Sequence, residues 1–377
     1  MSVAKRLSTF RTAVLHQAAP PPAIGGIVKP PKPNGYRDSA ADIAYCLRAA
    51  GETVVTPNSP ADPHNDPDWS YPDTEKGILA AVQTGANVLW CNTTLWSDHP
   101  IVRLGTELAR LGVRFVAQDP LDTEKYDDKA WTNNWLNQGE LEGKFPKSWL
   151  IEKGDTEGQL REVTLPAVLK PIRGRGSHGV ELVTDADGLG RVFQKLWEES
   201  EAVLVEEYLA GEEITIAVMP PGEYEDVGTK TKHWALPVVQ RFDHVDGIAP
   251  YNGIVPVTAN SRVLTPLEHE QDHHYTDVQR WVEIVGDRLG SYAPIRIDCR
   301  RRSSKQDGGG GPFYLFDVNL KPNATGPGRP GRDDQASLVL MAAQAIGWDF
   351  TKLARNMLAQ AQLVKGGNDT EKSSAGA

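Results

Sequence analysis

Pro294-Ile295-Arg296-Ile297-Asp298-Cys299 and Phe313-Tyr314-Leu315-Phe316-Asp317-Val318-Asn319 place polar side chains inside two apolar segments near the C-terminus. Each alternates apolar with charged or amide side chains, the period of a half-buried strand. Arg296 and Asp298 share one face of the first segment, and Asp317 and Asn319 share one face of the second. The intervening stretch from Ser303 to Gly311 reads as a hairpin loop. Folding the chain about Asp307 and Gly308 sets Asp298 opposite Asp317 and Arg296 opposite Asn319. The same folding places Ile297 and Cys299 with Phe316 and Val318 on the apolar face. Two carboxylates and an amide oxygen on one side of a sheet form a hard-oxygen site suited to Mg²⁺. The alternative is the wet side of a surface hairpin, and further segments bear on that choice.

Working toward the N-terminus, Lys170-Pro-Ile-Arg-Gly-Arg-Gly-Ser-His-Gly-Val180 follows the apolar strand Ala167-Val168-Leu169. Its glycines, Gly174, Gly176 and Gly179, expose backbone N–H groups that suit phosphate oxygens, with Ser177 and His178 between them. No GxxxxGK[ST] is present, so a hairpin cover over a nucleotide is expected rather than a helix-end cradle. A basic surface turn is the competing reading. Val203-Leu-Val-Glu-Glu-Tyr-Leu-Ala-Gly-Glu-Glu-Ile-Thr-Ile216 ends one strand, turns at Ala210-Gly211 and begins another. Such a strand end can pair with an adenine edge, and a carboxylate there can accept from an amino group or ribose hydroxyls. An acidic turn is the plainer alternative. Lys129 opens a predicted helix.

The N-terminal third alternates strand and helix. Strands are expected at Thr12 to His16, Thr53 to Val55, Val88 to Cys91 and Val113 to Val116, and helices over Ser39 to Ala50, Thr74 to Thr84 and Ile101 to Leu111, with a loop from Pro57 to Pro72. Alternation implies a parallel sheet with ligands beyond the carboxyl ends of its strands. That makes Asn92, Thr93 and Thr94 candidate substrate contacts; capping the next turn is their other role. Farther on, a helix over Asp127 to Leu136, strands at Ser148 to Ile151, Ala167 to Lys170 and Ala202 to Glu206, and a helix over Leu189 to Glu199 precede a strand-rich region from Glu213 to Leu320. A helix at Gln335 to Ala345 follows. The fold class is α/β, with α+β character in the nucleotide part. The expected units are residues 1–118, 119–208 and 209–364, with a disordered tail at 365–377.

The chain has 377 residues, 40% hydrophobic and 24% charged, the composition of a globular protein. Its net charge of −10 argues against a nucleic-acid surface. Cys46, Cys91 and Cys299 lie in separate apolar segments and read as reduced, buried thiols. No apolar run reaches the ~18 residues that cross a bilayer, so no membrane partner is expected. A cytoplasmic location is the expectation; the acid-free stretch before Asp38, with Lys5, Arg6 and Arg11, leaves a mitochondrial presequence as the alternative.

Together these segments, from about Lys129 to Pro322, resemble the ATP-grasp superfamily, in particular the D-alanine–D-alanine ligase-like carboxylate–amine ligases. The resemblance implies an α/β domain that precedes a two-part ATP-grasp fold, and ligation through an acyl phosphate with release of ADP and phosphate. By the same resemblance, Lys129 and Lys170 contact ATP phosphates, and the loop from Gly174 to Gly179 closes over them with Ser177 and its backbone as donors. Glu206 accepts from the adenine amino group, Glu207 and Leu209 offer backbone groups to the ring, and Glu213 binds the ribose. Asp298, Asp317 and Asn319 hold two Mg²⁺ ions, for which Mn²⁺ can substitute, and Arg296 with Lys170 serves the transferred phosphoryl group. Small carboxylate and amine substrates, amino acids by type, are implied, and a homodimer is compatible with the family.

The chain departs from the family pattern. Asp317 stands where Glu is usual, Leu320-Lys321-Pro322-Asn323 replaces an approach to Pro-Gly, and the His-Gly and Glu-Asp-Gly elements of the N-terminal segments are absent. D-alanine is therefore not the expected substrate. Lys321, Arg329 and Arg332 are candidates to hold an extra substrate carboxylate, unless Asp333 and Asp334 neutralise that loop. Tyr251, Asn252 and Gly253 could line or lid the pocket, or form a plain turn. An ATP-grasp kinase acting on a hydroxyl, or a non-catalytic ATP-binding module, are the rival functions.

Overall fold

The computed structural model describes residues 2–24, 27–28, 33–154, 162–174, 178–245, 247–249, 256–302 and 311–365. Three sheets carry the architecture. The first orders its strands Gln362–Leu363, Arg114–Val116, Val88–Asn92, Thr12–His16 and Ser70–Pro72. All its pairings are parallel except that of Gln362–Leu363 with Arg114–Val116. The strands are apolar runs because both faces are covered. Ala13, Leu15, Leu89 and Phe115 pack with Ile78 and Leu108 on one face. Val14, Trp90 and Val116 pack with Ile43, Leu47 and Leu353 on the other. Helix Arg37–Ala49 presents the expected stripe, with Ala40, Ile43, Ala44 and Leu47 all buried. Helix Glu75–Gln83 starts where the Thr74 side chain accepts from the Gly77 N–H.

Local expectations fail here in three places. Thr53 to Val55 forms only a bridge, Thr12 to Val54, rather than a strand. Ser70–Pro72, inside the predicted loop, pairs with Val14, Leu15 and His16 because the buried Trp69 and Tyr71 flank and fill it with apolar surface. The single helix expected from Ile101 to Leu111 divides at Leu104 into Pro100–Arg103 and Gly105–Arg110.

The second sheet is antiparallel, in the order Ser148–Glu152, Ala202–Glu207, Ala167–Pro171 and Glu181–Val183. Helix Ala186–Leu196 covers it through Val192, Phe193 and Leu196. The third sheet runs Ser261–Val263, Val239–Arg241, Glu213–Met219, Ile295–Arg301 and Phe313–Asn319, with antiparallel pairings throughout. One face carries Ile214, Ile216, Ile295, Ile297, Cys299 and Leu315, packed under the 17-residue helix His273–Leu289. That helix lies in a region read as strand-rich. Its buried stripe Tyr275, Val278, Val282, Val285 and Leu289 follows the helical period and was overlooked, as was helix Phe350–Leu358. Cys46, Cys91 and Cys299 are buried free thiols, as expected.

The hairpin register is the one read from the sequence: Arg296 faces Asn319, Ile297 faces Val318 and Asp298 faces Asp317. One detail differs. The register shifts after Asp298, so Cys299 faces Leu315 and Phe316 is the extra residue of a bulge. Leu315 therefore enters the core at 0% exposure, whereas Phe316, expected on the apolar face, lines a cleft.

Candidate active site

The polar face of the third sheet and the second sheet flank an open cleft of about 1050 Å³, a volume that includes the solvent at its mouth. Its floor is organised by the register. Arg296 and Asn319 form one row, Asp317, Asp298 and Thr215 the next, and Arg300, Glu213 and Arg241 lie across three strands beyond them. These side chains share a face because residues two apart on a strand do. Lys170 and Glu206 enter from the second sheet, where Lys170 faces Leu204 and Glu206 faces Val168. Lys129 comes from the first turn of helix Lys129–Leu136, which Asp128 caps and whose Lys129 N–H donates to the Ile172 carbonyl at 2.8 Å.

The acidic residues converge. Asn319 Nδ2 lies 3.2 Å from Asp298 Oδ2 and 3.3 Å from Asp317 Oδ2. Arg296 makes a two-pronged contact with Asp298, both bonds 3.0 Å, and Thr215 donates to the same carboxylate at 2.5 Å. Lys129 Nζ is 2.8 Å from Asp317 Oδ1. Burial would raise the Asp317 carboxyl, but Lys129, Lys170 and Arg296 hold it below the usual value, so it is ionised at neutral pH. Lys170 Nζ sits 2.7 Å from Glu206 Oε2 and donates to the Phe316 carbonyl at 3.0 Å. Asn133 donates to the other oxygen of Glu206 at 3.2 Å. Burial pushes the Glu206 carboxyl up despite Lys170.

These residues fit a divalent cation. Two carboxylates and an amide meet at hydrogen-bond distances, and turning the Asn319 amide over would present its oxygen beside theirs. The chemistry is oxygen-only, which suits Mg²⁺ or Mn²⁺. Among the described residues, one cluster of three His or acidic ligands lies elsewhere, at Asp272, His273 and His274. There Asp272 is already taken by Arg301 at 2.6 Å.

The remaining sequence candidates divide. Gly174, His178, Gly179, Glu207, Leu209 and Glu213 belong to the loop or strand ends around the cleft, and all but Gly179 line it directly. Gly179 has φ +70°, which favours glycine, and sits against Pro171 and Leu196. His178 points its Nε2 at Glu199, 2.7 Å away on the exposed side. Glu207 cannot offer its N–H to a ring without rearrangement, because it donates to the Lys147 carbonyl at 2.8 Å, and its carboxylate pairs with Arg302. Glu213 is held by His244 at 2.8 Å. Gly176 and Ser177 lie outside the described residues, as do Tyr251, Asn252 and Gly253.

Asn92, Thr93 and Lys321 line a second cavity, between the first sheet and the start of the hairpin, with Trp90, Leu95, Pro294 and Met357. Asn92 donates to Ser39 Oγ and Thr93 to Asp73, so both have local partners. Arg329 lies in neither cavity. It is 4% exposed and fixed by Asp42 at 2.8 Å and Asp66 at 2.6 Å, while Arg332 binds Asp42 and Asp38. The expected substrate-carboxylate role of that loop therefore gives way to an internal clamp, with these aspartates rather than Asp333 and Asp334 as partners.

Sequence reasoning missed Thr215, Arg241, Arg300, Phe316 and Asn133. Thr215 could have been found as the polar break in Ile214-Thr215-Ile216. Phe316 could not, because a bulge leaves no mark in the alternation.

Residues 146–359 match the family model described as D-ala D-ala ligase C-terminus. A D-alanine–D-alanine ligase of Methylacidiphilum infernorum is 27% identical over 262 residues, 69% of this chain and 73% of that one. One from Aromatoleum aromaticum is 30% identical over 219 residues, 57% of this chain and 60% of that one. The fold resembles that of the Bacillus anthracis D-alanine–D-alanine ligase complexed with ATP, with TM-score 0.59 at 17% identity, covering 93% of this chain and 96% of that one. The family match spans more than half of the sequence and contains most of the cleft, and the chain belongs to the D-alanine–D-alanine ligase family of ATP-grasp carboxylate–amine ligases.

Proposed function

We propose that this chain activates the carboxylate of one amino acid with ATP and joins it to the amine of a second. A free carboxylate resists attack because its charge repels an electron-rich amine and oxide is a poor leaving group. Transfer of the γ-phosphoryl group to a carboxylate oxygen breaks the bond to the β-phosphate oxygen and gives an acyl phosphate plus ADP. The amine then attacks the carbonyl carbon, loses a proton and expels phosphate. The protein's contribution is positioning and charge. Asp298, Asp317 and Asn319 would hold the metal, which when bound neutralises phosphate charge and orients the γ-phosphoryl group. Lys129 and Arg296 now spend their charge on Asp317 and Asp298. They can exchange those partners for phosphate oxygens once the carboxylates become ligands. Lys170 stands opposite, on the second sheet, with its charge directed by Glu206.

The observation that carries this reading is the convergence of Asp298, Asp317 and Asn319 beneath Lys129 and Lys170. The second cavity supports a place for the substrate. Pro294 and Lys321 lie two residues beyond the Arg296–Asn319 pair, about 7 Å along the strands. Its walls of Trp90, Leu95, Val116, Leu320 and Met357 favour an apolar side chain larger than alanine's methyl, with Asn92, Thr93 and Lys321 for polar ends.

A screen of amino-acid pairs for ADP and phosphate release, with mass spectrometry of the products, tests the reaction. Added hydroxylamine should yield a hydroxamate from the activated acid. ADP release that never gives hydroxamate or peptide would replace ligation with phosphorylation of a hydroxyl.

A further inference from the structure

Among the described residues, every charged side chain on the cleft floor has a partner with one exception, Arg241. It ends the strand Val239–Arg241, faces Glu213 across the sheet and is 7% exposed. Its Nε and Nη2 are buried and make no hydrogen bond. The neighbouring acceptors are already committed. Glu213 is taken by His244 at 2.8 Å with Arg300 3.7 Å away, and Asp298 by Arg296 and Thr215. A buried guanidinium without acceptors costs stability, because its five donors fit planar oxyanions and it stays charged. Burial and Arg296 act against its charge while Asp298 and Glu213 favour it, which places it within reach of both carboxylates.

We infer that Arg241 is a nucleotide-binding residue that donates Nε–H and Nη2–H to phosphate oxygens of ATP between the ribose-side Glu213 and the metal-side Asp298. The inference rests on the reading of the cleft as an ATP site. Such a contact supplies two charge-assisted hydrogen bonds to oxygens that Lys129, Lys170 and Arg296 reach from the other side. It would also explain why an arginine is kept where Val239, two residues earlier on the same face, is apolar and buried. The unliganded protein carries an unmet donor set, and the nucleotide meets it.

The test is calorimetric titration of the full chain with ATP, ADP and adenosine in the presence of Mg²⁺, for wild type, Arg241→Met and Arg241→Lys, with the melting temperature of each unliganded protein. Arg241→Met should weaken ATP or ADP binding by about 10- to 100-fold, the worth of hydrogen bonds to a charged group. Adenosine binding should not change, and Arg241→Lys should recover part of the loss. The unliganded Met variant should melt no lower than wild type, because a buried unpaired charge has been replaced by an apolar chain of similar length. ATP and ADP affinities within twofold of wild type in both variants would overturn the contact. So would an equal loss for adenosine, or an unliganded Met variant that melts well below wild type, which would make Arg241 a structural residue. A wild-type chain that does not bind ATP would instead sink the ligase reading itself.

Discussion

Two of the molecule's clusters of buried charge, the joint under helix Arg37–Ala49 and the cleft floor, are built differently. In the clamp that ties the Pro322 to Gly331 loop to helix Arg37–Ala49, Arg329 reaches Asp42, Asp66 and the carbonyls of Pro63 and Asp38, and Arg332 completes Asp42. Every charge there is met by protein. On the cleft floor an asparagine amide donates to two carboxylates at over 3 Å, one arginine has no acceptor, and open volume separates the two sheets. Full satisfaction marks a structural joint, whereas incomplete satisfaction around a cavity marks a place where a ligand finishes the network. Charge and position in the sequence invite a ligand-binding role for both, metal and nucleotide on the cleft floor and a substrate carboxylate at Arg329, but the second job belongs to the fold.

The largest difference between the two clusters is expected at Asp317. Asp317→Ala removes a proposed metal ligand and a partner of Lys129, and substrate-dependent ADP release should fall about 10³-fold with the fold intact. Steady-state turnover beside a circular dichroism spectrum checks both halves. Arg329→Ala should do the reverse. It takes one of two arginines from Asp42, which is 0% exposed, and should cost about 3 kcal/mol of unfolding free energy, read by urea titration, while nucleotide affinity below the transition is unchanged. If Arg329→Ala weakens ATP binding instead, the division between the clusters fails.

Buried His16 sharpens the contrast in the first sheet, away from the cleft. Burial, then Arg37, lowers its pKa from 6.5 to about 4 against the pull of Asp73, and it is 4% exposed beside Ser70. The unfolded chain binds its proton near pH 6.5 and the folded one only near 4. Stability from this group is therefore complete above pH 6.5 and is lost as pH falls toward 4, by about 3 kcal/mol. His16→Gln should flatten urea midpoints across that window relative to wild type. The smallest effect belongs to Thr215→Val, which removes the 2.5 Å bond to Asp298. It should weaken metal-dependent nucleotide binding about fivefold, near 1 kcal/mol, with catalysis at saturation little changed.

Much of this was legible in the sequence. The alternation of Ile295, Ile297 and Cys299 with Arg296 and Asp298 gave the hairpin its register, because a strand has only two faces and one had to be buried. The Lys170 strand and its glycine turn were legible for the same reason, as apolar and polar runs with sharp edges. What was hidden depends on tertiary neighbours. The Phe316 bulge needs the partner strand to define it. Arg329 looks like any loop arginine until helix Arg37–Ala49 brings Asp42 beside it from 287 residues away. Arg241 stands out only when its missing acceptors are counted in three dimensions. Helix His273–Leu289 was missed because its polar, histidine-rich opening masks a stripe that becomes plain from Tyr275 onward.

Electron paramagnetic resonance of Mn²⁺ titrated into the full chain with and without ATP reports whether the last long hairpin holds a nucleotide's metal. Ion uptake should require ATP in the wild type and largely disappear in Asp317→Ala and Asn319→Ala. Equal uptake by wild type and both variants, or none by wild type at saturating ATP, would contradict it.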